Sequence, residues 1–242
     1  MFAQILNSSF LSATNQEDAM MTVDSKAMRE DLIMNPTPRC PCVLVLDTSG
    51  SMDGSPLAAL NEGVQLFLSE VKADEMAQYS VEVGVVTAGG VANTALPISP
   101  VRLLDGMPHL SASGTTPLGA AVEKGLTMLE ERKNHYKQNG VPYYQPWMLI
   151  ISDGAPTDSW QSVAAKTKNL AENRKLVVMS VGVDGADLTI LSAFSNRDAK
   201  ALGGLKFKEL FQWLSASMSR VSASASTSAA IALPSTNGWD SI

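Results

Sequence analysis

The chain has 242 residues, a formal net charge of −6 at pH 7, 45% hydrophobic and 17% charged residues, and two cysteines. That length suits one large α/β domain with extensions better than two small domains. The acidic balance, with no basic run, argues against a nucleic-acid partner, which needs a basic face. No apolar run approaches the ~20 residues that span a bilayer. Met1 to Phe10 lack the charged and apolar regions of a secretory signal, so the expected location is the cytoplasm, with no membrane partner.

Residues 1 to 35 read as a polar, Met-rich lead with a helix around Gln16 to Met34. Pro36-Thr37-Pro38 separate it from the first strand, so residues 1–37 are expected to form an N-terminal extension and 38–220 the main domain. Cys40 and Cys42 flank Pro41 and admit three readings: a zinc half-site, a redox pair, or two packed residues at the start of a strand. Zinc wants four ligands and neither His109 nor His135 has ligand spacing. A Cys-Pro-Cys disulfide would be strained, and packing is the expectation.

Val43 to Leu46 are apolar without polar alternation, as in a central parallel strand covered on both faces. Asp47 then stands at its carboxyl end, where open α/β sheets bind ligands. Ser49 and Ser51 follow at alternate positions, with Gly50 permitting the turn that gathers three oxygen-bearing side chains. Hydroxyl and carboxylate oxygens suit Mg²⁺ or Mn²⁺ better than zinc. Ser55-Pro56 reads as a helix start, followed by Leu57, Leu60, Val64, Phe67, Leu68 and Val71 at helical spacing. Tyr79 to Ala88 alternates as a strand, and Gly89-Gly90 turns it into a second strand near Ala92 to Ile98, an antiparallel edge hairpin.

Ser113-Gly114-Thr115-Thr116-Pro117 places hydroxyls before a helix marked by Leu118, Ala121, Val122, Leu126 and Leu129, with Thr116 as N-cap and Pro117 at the first helical position. Met148 to Ile151 is another buried strand, and Ser152-Asp153 end it in an acid. Asp47, Ser49, Ser51, Thr115 and Asp153 thus form a discontinuous set of oxygen donors, with Thr116 a second hydroxyl that could serve. Asp158 to Gln161 has the form of a capping box for a helix running to about Arg174. Leu176 to Gly182 reads as a buried strand, Ala186 to Phe194 as a short helix, Lys200 to Leu202 as an edge strand, and Phe207 to about Arg220 as the closing helix. Ser215 to Ser228 are so rich in serine and alanine that the last helix is expected to fray, with 221–242 a tail. Ile231, Leu233 and Trp239 restore apolar character that can dock back or meet a partner. Alternating strands and helices imply a doubly wound, Rossmann-like, mostly parallel sheet with one antiparallel edge strand.

The pattern Asp47-x-Ser49-x-Ser51, then Thr115, then Asp153 resembles the metal-ion-dependent adhesion site of the von Willebrand factor type A (vWA) domain. Asp153 to Trp160 and Phe211 to Ser215 resemble its bacterial, tellurite-resistance-associated TerY-like branch, which commonly has an acid where Ala155 stands. The resemblance implies a vWA fold with a Mg²⁺ held by those five residues, Mn²⁺ or Ca²⁺ being alternatives. It places the ligand threonine directly after the glycine, at Thr115. It also implies a partner protein that supplies an Asp or Glu to the metal, a link to stress or tellurite-resistance systems, and no catalysis.

Bland alternatives exist for single residues, because Asp and Ser are common turn formers. Asp53 and Asp158 read as loop or cap residues, and Trp160 as either a contact residue or a packed aromatic. The rival to a binding module is a haloacid-dehalogenase-like phosphatase with Asp47 as nucleophile. That chemistry wants a second acid two residues on, where Ser49 stands. No G-x-S-x-G elbow or phosphate-binding P-loop occurs in the chain.

Overall fold

A computed structural model describes residues 24–153 and 156–241. The helix expected from Gln16 is seen over Ser25–Met34 (α1), its earlier part and Ala155 lying outside the described residues. The sheet is built from β1 (Cys40–Asp47), β2 (Val81–Gly89), β3 (Val91–Pro100), β4 (Trp147–Ser152), β5 (Val177–Gly182), β6 (Lys200–Leu202) and β7 (Asp240–Ser241). Their spatial order is β3-β2-β1-β4-β5-β6-β7. The five strands from β2 to β6 run parallel, β3 is the antiparallel edge, and the two-residue β7 adds a second antiparallel strand at the other edge.

The helices are α2 (Ser55–Ala73), α3 (Ala77–Ser80), α4 (Leu118–Gln138), α5 (Gln161–Glu172), α6 (Leu188–Ser192) and α7 (Phe207–Ser222). Every residue of β1 is buried, and its alternate positions feed two separate cores. Cys40, Cys42, Leu44 and Leu46 join the core under α2 and α7, while Val43 and Val45 join that under α4 and α5. This two-sided burial is why the run carries no polar alternation. Both cysteines are free and buried, and burial pushes the Cys40 thiol up to about 12, as suits packed, inert side chains. Among the described residues no helix is long and apolar enough to cross a membrane.

The last helix does not fray at Ser215. Ser215, Ser217, Met218, Val221 and Ser222 are all buried, and α7 continues to Ser222. Small side chains let it lie close to its neighbours: the Ser217 hydroxyl donates to the Trp213 carbonyl at 2.8 Å and that of Ser215 donates to the Glu70 carboxylate at 2.5 Å. Beyond it, Trp239 is 1% exposed and packs edge-on against Trp213, whose indole N–H donates to the Pro234 carbonyl at 3.0 Å.

A network of charges lies at the edge where the parallel strands begin. Arg39 is fully buried between Asp31 of α1 (3.5 Å) and Glu82 of β2 (3.4 Å). Arg132 of α4 forks onto Glu82, with Nε and Nη2 donating at 2.5 and 2.8 Å, and the Tyr136 hydroxyl donates to the same carboxylate at 2.6 Å. Arg102 closes on Asp31 from outside, its Nε donating at 2.7 Å. Sequence periodicity gave no hint of this network, which docks α1 on the sheet.

Candidate metal centre

The chain enters the sheet at β1, winds outward to β2 and β3, then returns to the other side of β1 with β4. The reversal falls between β1 and β4, and such a switch point opens a crevice at the carboxyl ends of the strands. Asp47 ends β1, and Asp153 follows the last residue of β4. Their placement on either side of the crevice therefore follows from strand order.

Asp47 is fully buried and both of its oxygens are engaged. Oδ1 accepts the Ser49 amide at 2.9 Å, and Oδ2 accepts the Ser152 hydroxyl at 2.5 Å. Ser152 escaped the sequence analysis; the signal available was register, since Leu46 pairs with Ile151 and so puts Ser152 beside Asp47. After Ser49 the backbone makes a 3-10 turn over Gly50–Met52. Met52 is fully buried in the core under α2, while Ser51 stays exposed. The Ser49 and Ser51 hydroxyls lie 3.0 Å apart, and Ser51 donates to Asp153 Oδ1 at 2.9 Å. Four of the five predicted residues are thus brought together by direct contacts.

Thr115 is placed by backbone rather than by its side chain. The Ser113 amide donates to the Thr48 carbonyl at 2.8 Å, the Gly50 amide to Gly114 at 3.0 Å, and the Gly90 amide to Thr115 at 2.8 Å. These bonds sew the Thr115 loop to both the Asp47–Ser51 loop and the β2–β3 turn. Gly114 has φ +60°, and a Cβ there would lie 2.5 Å from the Gly90 Cα, so only glycine permits this approach. Thr115 itself is exposed, whereas Thr116 is 6% exposed.

Two capping expectations are corrected. Thr116 does not cap α4: Pro117 is the N-cap residue and makes no side-chain cap. Asp158 takes that role from a distance, accepting the Gly119 and Ala120 amides at 3.0 and 2.8 Å, rather than capping α5. A carboxylate here satisfies orphan amides and favours the positive end of the helix. Gly119 allows it, because a Cβ would meet the Ser159 carbonyl at 2.8 Å. Trp160 packs against Phe194 with ring centroids 5.8 Å apart, and exposed Asp53 accepts the Gly54 amide at 2.9 Å.

Among the described residues no cationic side chain pairs with Asp47 or Asp153. Burial and then the nearby Asp47 charge hold the Asp153 carboxyl above its usual range, despite the Ser51 hydrogen bond. No group of three or more His, Cys, Asp or Glu gathers among the described residues, so a cation here would draw on two carboxylates and neighbouring hydroxyls. That all-oxygen donor set, short of positive charge, fits a hard divalent cation and not zinc in a thiolate or imidazole site.

The sequence profile of the von Willebrand factor type A domain matches residues 42–202, and the chain belongs to that family. Solved structures of similar fold include the pilus adhesin SpaC of Lactobacillus rhamnosus GG in its open conformation, 14% identical with a TM-score of 0.60 over 76% of this chain and 30% of that one. A von Willebrand factor type A protein of Catenulispora acidiphila is 14% identical, with a TM-score of 0.57 over 76% and 43%. Proximal thread matrix protein 1 of the mussel byssus, solved with a zinc-occupied MIDAS motif, is 14% identical, with a TM-score of 0.51 over 75% and 47%. This chain spans less than half the length of each of the three. A comparison with curated protein sequences gives no match.

Proposed function

We propose that this chain is a metal-dependent protein-interaction module. Asp47, Ser49, Ser51, Thr115 and Asp153 hold one Mg²⁺, with Mn²⁺ and Ca²⁺ as other cations their oxygens accept, and an Asp or Glu of a partner protein completes the coordination. The observation that carries this is the meeting of two acids and two hydroxyls at the switch point with no cationic side chain among the described residues to neutralise them. Two carboxylates neutralise a divalent ion, and the remaining coordination positions favour an incoming carboxylate. The zinc-occupied motif of the mussel protein and the adhesin role of SpaC support the same reading by analogy of fold.

The same site is proposed to be non-catalytic. Ser49 occupies the position where a phosphatase would need its second acid, and it faces Ser51. His135 lies in the last turn of α4, about 25 Å along the helix from its first turn beside the site. The TerY-like character, with a role in stress or tellurite resistance, rests on the resemblance of Asp153 to Trp160 and Phe211 to Ser215.

The test is affinity capture of partners in Mg²⁺ and in EDTA with wild type, Asp47→Asn and Thr115→Ala, followed by substitution of the captured partner's interface acids. Capture should require Mg²⁺, vanish in Asp47→Asn, weaken in Thr115→Ala and depend on one partner acid. Binding indifferent to EDTA and to Asp47→Asn would overturn the proposal. Mg²⁺-dependent phosphate-ester turnover lost in Asp47→Asn would restore the phosphatase.

A further inference from the structure

A second concave feature lies at the opposite edge of the sheet from Asp47 and Asp153. A cavity of about 590 Å³ opens where β4 and β5 begin, with residues 227–231 and Leu233 forming part of its wall. Trp147, Leu176 and Val178 give it buried apolar surface from the domain, and half-buried Ile231 gives it more from the C-terminal segment. Its volume is that of a small-molecule site, too small for a folded partner.

Two exposed arginines, Arg174 and Arg197, line the same cavity. Elsewhere in the chain Arg39, Arg102 and Arg132 are taken up by acids, but among the described residues neither Arg174 nor Arg197 forms an ion pair. Arg197 also borders a neighbouring cleft that Glu172 and Asp198 line, but neither acid lines this cavity. The lining of the cavity therefore pairs apolar surface with two cationic side chains and no acidic one.

The backbone at Arg174 is a separate observation. After α5, the Arg174 amide donates to the Ala171 carbonyl at 3.1 Å and that of Lys175 to Leu170 at 2.8 Å. This is a Schellman ending, and its left-handed position normally takes glycine. Arg174, with φ +54°, is the one non-glycine residue at positive φ among the described residues. The chain thus carries a guanidinium at the cavity where the backbone alone would favour no side chain.

We propose that this cavity binds a small amphipathic carboxylate, with the acid group between Arg174 and Arg197 and the apolar body against Trp147, Leu176 and Ile231. The site is independent of the metal centre.

Octanoate is the probe, titrated into the full chain in EDTA and followed by calorimetry and tryptophan fluorescence, with octylamine as the charge-reversed control. Saturable octanoate binding and no octylamine binding are expected. Arg197→Gln should weaken octanoate at least about tenfold, as loss of a charge-assisted hydrogen bond does. Arg174→Gly should weaken it similarly while raising Tm, because glycine relieves the left-handed backbone. Asp47→Asn should leave the affinity unchanged. Absence of saturable binding, equal binding of octylamine, or undiminished affinity in both arginine variants would overturn the proposal.

Discussion

At the edge where the parallel strands begin, Asp31 and Glu82 are buried among arginines; at the edge where they end, Asp47 and Asp153 meet hydroxyls and an amide among the described residues. The first pair is served by Arg39, Arg102 and Arg132, so its charge is balanced from within and its work is to join α1, β1, β2 and α4. Among the described residues the second pair has no such partner, and burial with the nearby Asp47 charge keeps the Asp153 carboxyl raised. A buried acid becomes informative about function when its compensation is missing, because an unpaired charge away from water is costly and calls for a cation from outside.

The sharpest way to break this comparison is to remove compensation at one edge and charge at the other. Arg39→Met should thin the compensation of both buried carboxylates, leaving Asp31 to Arg102 and Glu82 to Arg132 and Tyr136, and destabilise the fold by about 1–3 kcal/mol. Asp47→Asn, in metal-free protein, should leave Tm unchanged or raise it, since an amide can keep the Ser49 contact and relieves Asp153 of a like charge. Denaturation of both variants in EDTA makes the test, and equal losses would show that both acid pairs are merely structural.

Metal comes next in size. At free Mg²⁺ tenfold above its dissociation constant, binding adds about 1.4 kcal/mol, a shift of a few degrees for a domain this large. Asp47→Asn should abolish that shift while a variant of the other edge, such as Arg102→Gln, keeps it. A wild-type Tm indifferent to Mg²⁺, Mn²⁺ and EDTA would remove the distinction between the edges.

Acidity sharpens it further. Because the folded, metal-free protein holds the Asp153 proton more tightly than the unfolded chain, its contribution to stability falls as pH rises through the raised value. A bound cation requires the ionised form, so the Mg²⁺-dependent increment in Tm should shrink as pH falls. Melting curves with and without Mg²⁺ across the acid range should therefore converge toward low pH.

The smallest expected effect concerns an ion pair with only its lysine end in solvent. Lys200 reaches Asp240 at 3.1 Å and ties β6 to β7. Burial pushes the Asp240 carboxyl up, but the Thr236 hydroxyl and Lys200 together hold it below its usual range. Its stabilisation is present above the unfolded carboxylate value and lost as pH falls through the folded one. Lys200→Met should cost under about 1 kcal/mol at neutral pH, with the difference from wild type narrowing in acid. A pH-independent difference would mean that the lysine acts through packing.

The central strands and the donor set were legible in the sequence. Val43 to Leu46 and Met148 to Ile151 are apolar on consecutive positions because both faces are covered, and an acid at the end of each run is a local signal of a strand edge. The doubly wound order follows from the same alternation of strands and helices, and Lys200–Leu202 forms a strand as expected, although β7 rather than β6 takes the edge. What the tertiary structure decided involves partners far apart in the chain or side chains that suit two environments. Asp158 has the local form of a cap for α5, yet its carboxylate meets the free amides of α4 because the loops converge at the switch point. Serine and alanine from Ser215 to Ser222 are as compatible with a solvated tail as with close helix packing, and only the narrow space beside α2 and the sheet selects the helix. Glu82 sits in an apolar strand with no local mark of its partners; Arg39 and Arg132 reach it from other elements, and their compensation of its charge exists only once the chain is folded.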